Sequence, residues 1–147
     1  MFKNILVPTD GSALSRKAAQ QAARLAKSLG ARITAFHVAP QYRYNIYADY
    51  ISPDFESPKD YAERVKNVAE RHLDAIVKIA QKAGVRCDTA YATSDFPADA
   101  ILKAAKKHRC DAIAMATHGR SGIAKVLLGS ETTKVLTHGK LPVLVLK

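Results

Sequence analysis

Two groups of residues in this 147-residue chain have types and spacing suited to holding an anion. One is Asp10-Gly11-Ser12. The other opens at Met115-Ala116-Thr117-His118-Gly119-Arg120-Ser121-Gly122 and closes at Gly129-Ser130-Glu131-Thr132. Glycines let backbone N–H groups approach an anion with no Cβ in the way. Ser130 is placed to cap a following helix and to donate its hydroxyl to a phosphate, where the helix N-terminus adds positive potential. Arg120 and Lys125 bring charge to the same stretch. A plain glycine loop with an ordinary cap accounts for these residues equally well. Asp10 reads either as a turn former beside an N-cap or as a carboxylate for ribose hydroxyls or Mg²⁺.

The elements that must position these groups alternate between two periods. Residues 4–9 (NILVPT) form a short apolar run, followed by Leu14, Ala18, Ala22, Leu25 and Leu29 at helical spacing. Ser12 suits the N-cap of that helix and Gly30 its end. Residues 32–38 (RITAFHV) read as a second strand. A longer helix follows Pro58, with Val65, Val68, Leu73, Ile76 and Ile79 or Ala80 on its apolar face and Gly84 closing it. Residues 85–93 alternate as a third strand, and Pro97 starts a helix burying Ile101, Leu102 and Ala105. Residues 112–117 (AIAMAT) and 142–146 (PVLVL) read as fourth and fifth strands, with a helix over roughly 131–138 between them.

Repeated strand–helix units with strands apolar on both sides predict one α/β domain over residues 1–147, with a parallel sheet covered by helices on both faces. In such a doubly wound sheet ligands bind beyond the carboxyl ends of the strands at the switch point. If the first and fourth strands are neighbours there, the segments to search are 9–12 and 117–130. The fifth strand then lies at an edge. Its apolar Val143, Leu144, Val145 and Leu146 predict a homodimer joined through that strand, which Pro142 limits without preventing.

Several function classes are set aside. Neither GxxxxGK[ST] nor, after the first strand, GxGxxG occurs, which argues against fast phosphoryl transfer. No nucleophile, base and orienting acid assemble from the sequence. Cys87 and Cys110 lack metal-ligand spacing and read as buried, inert thiols. The N-terminal apolar run is too short for a signal peptide or a membrane span, so a reduced, cytoplasmic setting is expected. The net charge of +10 raises nucleic acid as a partner, but the bases are scattered over helix faces. The one dense patch, Lys103 to Arg109, falls at a helix C-terminus. Solvated helix faces are therefore favoured over a nucleic-acid stripe. His118 reads as a loop hydrogen-bonding residue and His37 as a satisfied strand residue. Tyr42, Tyr44, Tyr47 and Tyr50 read as packing on the domain or on a partner subunit rather than as a recognition surface.

The segments ILVPTDGS, HV at the end of the second strand, MATHGR…LLGSETTKVL and LPVLVLK resemble the universal stress protein family along nearly the whole chain. In its nucleotide-binding members the signature is G-x2-G-x9-G-[S/T]. Here Gly119 is the second glycine, nine residues intervene, and Gly129-Ser130 completes it. The first glycine is replaced by Ala116, whose methyl would matter if the site needs a positive φ or a close backbone approach.

The resemblance implies a five-stranded parallel sheet in the order 3-2-1-4-5, a homodimer through the last strand, and ATP, with or without Mg²⁺, across the ends of the first and fourth strands. By that similarity Asp10 contacts the ribose or metal, the Val38 backbone reads adenine, and Met115 lines the base pocket. Gly119, Gly129, Ser130 and Thr132 hold phosphates. Pro8, Thr9, Ala116, His118, Arg120 and Glu131 complete the expected nucleotide contacts. The function expected is a stress-response regulatory or signalling module with slow hydrolysis at most. The competing expectation is a stress protein without nucleotide, working through unknown protein partners that dock on the tyrosine segment.

Overall fold

A strand covered by helices on both sides must be apolar on both faces, and two short runs of this chain are. The computed structural model describes residues 1–43, 55–118 and 128–147. In it Asn4–Pro8 forms β1 and Ala112–Ala116 forms β4, with every residue buried except the half-buried Pro8. The remaining strands are β2 (Arg32–Ala39), β3 (Cys87–Thr93) and β5 (Val143–Leu146). They pair in parallel in the order β3-β2-β1-β4-β5. This is the expected single doubly wound α/β domain. β3 alternates between half-buried and exposed residues, as an edge strand does.

Helices α1 (Ala13–Leu29) and α2 (Pro58–Lys82) cover one face, packing on Ile5, Val7, Ile33, Ala35, Ala112 and Ala114. Helices α3 (Pro97–Lys107) and α4 (Ser130–His138) cover the other, over Leu6, Phe36, Ile113 and Met115. The core face of α1 carries the expected Ala18 and Ala22 but not the expected leucines. It is built from Ala18, Ala19, Ala22, Ala23 and Ala26, while Leu25 and Leu29 sit half-buried at its flank. Alanine lets the helix axis approach the sheet and loses no side-chain entropy on burial.

Helix ends follow a shared rule. Ser12 caps α1 by accepting from the Ser15 N–H, and Ser57 caps α2 through the Asp60 N–H with Pro58 in its first turn. At the other end, Gly30 (φ 62°) and Gly84 (φ 69°) turn left-handed, and paired backbone bonds close each helix. α3 closes in the same way: Cys110 N–H reaches Ala105 O at 2.8 Å and Arg109 N–H reaches Lys106 O at 3.2 Å. The left-handed residue there is Arg109, φ 52°.

Tyr42 packs on Tyr61 with ring centroids 5.2 Å apart, and its hydroxyl donates to Glu56 O at 2.6 Å. Tyr42 therefore packs on its own domain. Tyr44, Tyr47, Tyr50, Gly119, Arg120 and Lys125 lie outside the described residues.

Candidate functional site

The first and fourth strands are neighbours, but they pair over Ile5↔Ala112 and Leu6↔Ile113 and no further. β1 stays with β2 as far as Pro8↔Phe36, and β4 stays with β5 as far as Ala116↔Leu146. The two central strands thus part toward their carboxyl ends. This is the switch-point crevice of a doubly wound sheet.

One lip is the end of β1 and the turn into α1. Thr9 is buried, its N–H bonded to Phe36 O at 2.8 Å and its carbonyl accepting from the His37 ring, Nδ1 at 2.8 Å. Its hydroxyl accepts from the Gly11 N–H at 3.1 Å and lies 3.0 Å from the Ser15 hydroxyl, which donates to Ser12 O. Asp10 follows, with Oδ1 accepting from the Ser12 N–H at 2.9 Å. Arg16 donates to Gly11 O at 2.7 Å. Gly11 has φ 77°, and the edge of the His72 ring from α2 lies directly over it. His72 in turn meets His37 edge-on, with ring centroids 4.8 Å apart. These bonds tie the Asp10 turn to β2 and α1, and the His72 ring sets α2 against it.

The other lip joins β4 to α4. Gly129 N–H donates to Thr117 O at 2.6 Å, and the buried Thr132 hydroxyl donates to Ala116 O at 3.0 Å. A Cβ on Gly129 would stand 3.0 Å from His118 Cα and 3.4 Å from Thr117 O, so the two chain segments touch where a side chain would part them. The first turn of α4 is thereby stapled to the end of β4.

The expected cap is corrected here. Gly129 is the N-cap of α4 and makes no side-chain cap bond, and Ser130 is the exposed first helical residue. The close approach just described favours glycine there, because a Cβ in the cap position would press on His118 and its neighbours would have to give by a few tenths of an ångström. The first N–H groups of α4 are consequently not covered by a capping side chain.

Other expected site residues fall as follows. Ala116 ends β4 as a buried residue, and Arg109 is the non-glycine residue with positive φ among those described. A left-handed backbone is therefore not required at Ala116. Met115 is buried in the cluster beneath α3 and α4, and Val38 is half-buried on that same side. His118 Nδ1 lies 3.0 Å from the Thr117 hydroxyl, the local bond expected of it. Glu131 reaches across to α3, where Oε2 accepts from the Ala98 N–H at 2.9 Å while Oε1 meets Lys134 at 3.0 Å. It caps a helix whose own N-cap residue, Phe96, makes no side-chain bond. Pro8 is the half-buried last residue of β1.

The residue that sequence reasoning missed is His72. Its helical setting carries no local sign of the contact with Gly11. Among the described residues no cluster of three or more His, Cys, Asp or Glu is placed to hold a metal. None of the described helices is long and apolar enough to cross a membrane.

A 3-2-1-4-5 parallel sheet whose central strands part beside an uncapped helix N-terminus defines a doubly wound α/β domain of the kind that takes ligands at its switch point. The chain belongs to the universal stress protein family, whose model matches residues 1–147. It is 32% identical to universal stress protein MJ0531 of Methanocaldococcus jannaschii, over all of this chain and 83% of that one. It is also 32% identical to a Thermus aquaticus universal stress protein, over the full length of both.

Among solved structures it resembles a universal stress protein in complex with cAMP (TM-score 0.74, 22% identity, 99% of this chain and 97% of that one). It also resembles the Archaeoglobus fulgidus universal stress protein in complex with dAMP (0.70, 20%, 99% and 98%). An Arabidopsis thaliana family member with AMP bound matches at 0.66 and 19%, over 99% and 91%.

Proposed function

We propose that this chain binds an adenine nucleotide, with ATP the expected form, in the crevice between β1 and β4, and acts as a regulatory module of stress responses. The observation that carries this reading is the parting of β1 and β4 beside the first turn of α4, whose cap position is held by a glycine. Backbone N–H groups at a helix N-terminus suit phosphate oxygens. The family's nucleotide-bound members support the ligand class.

In this reading Gly129, Ser130 and Thr132 form the phosphate end, with Gly119 and Arg120 of the same signature. Asp10 takes the ribose or Mg²⁺, with Pro8 and Thr9 behind it, and the Val38 backbone meets the base. Mg²⁺ would take Asp10 and phosphate oxygens as ligands and keep several waters, as that ion commonly does. Glu131 acts by holding α3 and α4 together rather than by touching the nucleotide. Hydrolysis is slow at most, since neither phosphoryl-transfer motif occurs in the sequence. The protein acts as a homodimer through β5, whose four apolar residues are all half-buried in the single chain.

Isothermal titration with AMP, ADP and ATP, with and without Mg²⁺, tests the reading. The expected result is saturable binding that Gly129→Val abolishes while the circular dichroism spectrum stays unchanged. Ala116→Gly should bind as the native chain does, because the strand does not need a left-handed residue there. No saturable binding by the native chain, or unchanged affinity in Gly129→Val, overturns the assignment.

A further inference from the structure

The positive charge, scattered along the sequence, is gathered by the fold. Because every strand is parallel, each helix runs back antiparallel to the sheet and all helix C-termini meet at the end where the strands begin. α1 ends with Lys27, α2 with Lys82, and α3 with Lys106 and Lys107 in the last turn. Helix dipoles account for those four.

They do not account for a second set. A cation lies within three residues of the start of every strand: Lys3 for β1, Arg32 for β2, Arg86 for β3, Arg109 for β4 and Lys140 for β5. In sheet order these read Arg86, Arg32, Lys3, Arg109, Lys140, one cation at or just before the start of each strand.

Among the described residues the carboxylates at this end are Asp88 and Asp111. Asp88 lies 3.3 Å from both Arg32 and Arg86, and Asp111 accepts from the backbone N–H groups of Lys3 and Asn4. The carboxylates Glu56, Asp60, Asp95, Asp99 and Glu131 stand at or near helix starts, at the opposite end. Much of the formal +10 is therefore concentrated on the face away from the β1–β4 crevice.

Arg109 gives an independent reason to treat this as a working surface. α1, α2 and α3 close by the same pair of backbone bonds, and the first two place glycine at the left-handed position. The third keeps an exposed arginine there, at φ 52°, against the preference of any residue with a Cβ. Backbone strain retained at one of three equivalent positions, in the middle of a row of cations, points to a use for the side chain.

We infer that the strand-start end of this domain is a docking surface for a nucleic-acid phosphate backbone, engaged without base reading. A row of cations suits a linear array of phosphates, and arginine forks suit phosphate oxygens. A duplex is favoured over a single strand because Phe55, Tyr91 and Phe96, the described aromatics most exposed to solvent, are not at this end and offer no stacking platform there. The surface is separate from the nucleotide crevice and does not depend on it.

Fluorescence anisotropy with a labelled mixed-sequence duplex of about 30 base pairs, titrated at about 50 to 200 mM salt, tests this. The native chain should bind with an affinity that falls as salt rises. Lys106→Ala/Lys107→Ala/Arg109→Gly should weaken binding on the order of tenfold or more and flatten the salt slope by about 3. Arg109→Gly alone should weaken binding while raising the thermal midpoint, opposite signs that a purely structural arginine would not produce. Lys59→Ala/Lys66→Ala, which removes two cations from the other half of α2, should bind as the native chain does. The inference is overturned by absent binding at the lowest salt or by Arg109→Gly binding normally. It is equally overturned by an equal loss in the Lys59/Lys66 variant, or by phosphatidylserine-rich vesicles displacing the duplex.

Discussion

Gly11 and His72, sixty-one positions apart, are in direct contact: a Cβ built on Gly11 would stand 2.3 Å from His72 Nε2. The turn carrying Asp10 is thus pressed between its own helix and α2. Gly11 also holds φ 77°, which only glycine adopts without cost. Gly11→Ala therefore meets two penalties, the left-handed backbone and the overlap with the imidazole. Together they should cost about 2–4 kcal/mol in urea unfolding. Adding His72→Ala should recover the overlap part and leave the backbone part. A double variant no more stable than Gly11→Ala would show that the contact carries no energy.

Cys87 gives a prediction in pH. Burial against the sheet pushes its thiol up to about 11, although a backbone hydrogen bond from Ala35 partly opposes this. In the unfolded chain the same thiol titrates at about 8.5. The folded state keeps the proton that the unfolded state releases, so this contribution to stability is whole below about 8.5 and fades as pH rises toward 11. The native chain should lose more stability between pH 8 and pH 10.5 than Cys87→Ala does, measured by urea midpoint. Burial raises the Cys110 thiol as well, so neither cysteine should react with a thiol reagent at pH 8 until the chain unfolds. Rapid labelling of the folded protein at that pH would contradict both assignments.

The parts of the fold that were legible in the sequence are those with local signatures. Ser12, Gly30, Pro58, Gly84 and Pro97 mark helix ends through backbone chemistry that the residue itself carries. Strands β1 and β4 stand out because burial on two faces leaves no polar alternation. What escaped is decided between distant segments. Leu25 and Leu29 flank the core face of α1 rather than form it, since the gap to the sheet rather than residue hydrophobicity sets the size that fits. Gly129 rather than Ser130 caps α4 because His118 stands against it. Glu131 holds the first turn of α3, a contact across 33 positions with no periodic trace. The cations look dispersed along the chain because they recur once per strand–helix unit, and only the parallel topology brings them to one end.

The β5 edge yields a prediction that separates dimerisation from folding. Ile113 N–H donates to Pro142 O at 2.9 Å and Thr117 N–H to Leu146 O at 3.1 Å, so those carbonyls of the β5 segment face β4. Residues along a parallel strand alternate in the side to which their backbone groups point. The N–H groups of Val143 and Val145 therefore point away from β4, toward whatever lies beyond the edge. Val145→Pro deletes one of these donors without removing a bond to β4, and proline is tolerated at such an edge position. In a two-fold symmetric dimer the loss counts twice, about 1–3 kcal/mol in all, which is on the order of ten- to a hundredfold in the dissociation constant. Sedimentation velocity should show a native dimer at micromolar concentration and a monomeric variant with an unchanged circular dichroism spectrum. A native monomer would remove β5 as an interface. A dimer that survives Val145→Pro unweakened would mean that the subunits meet through another face.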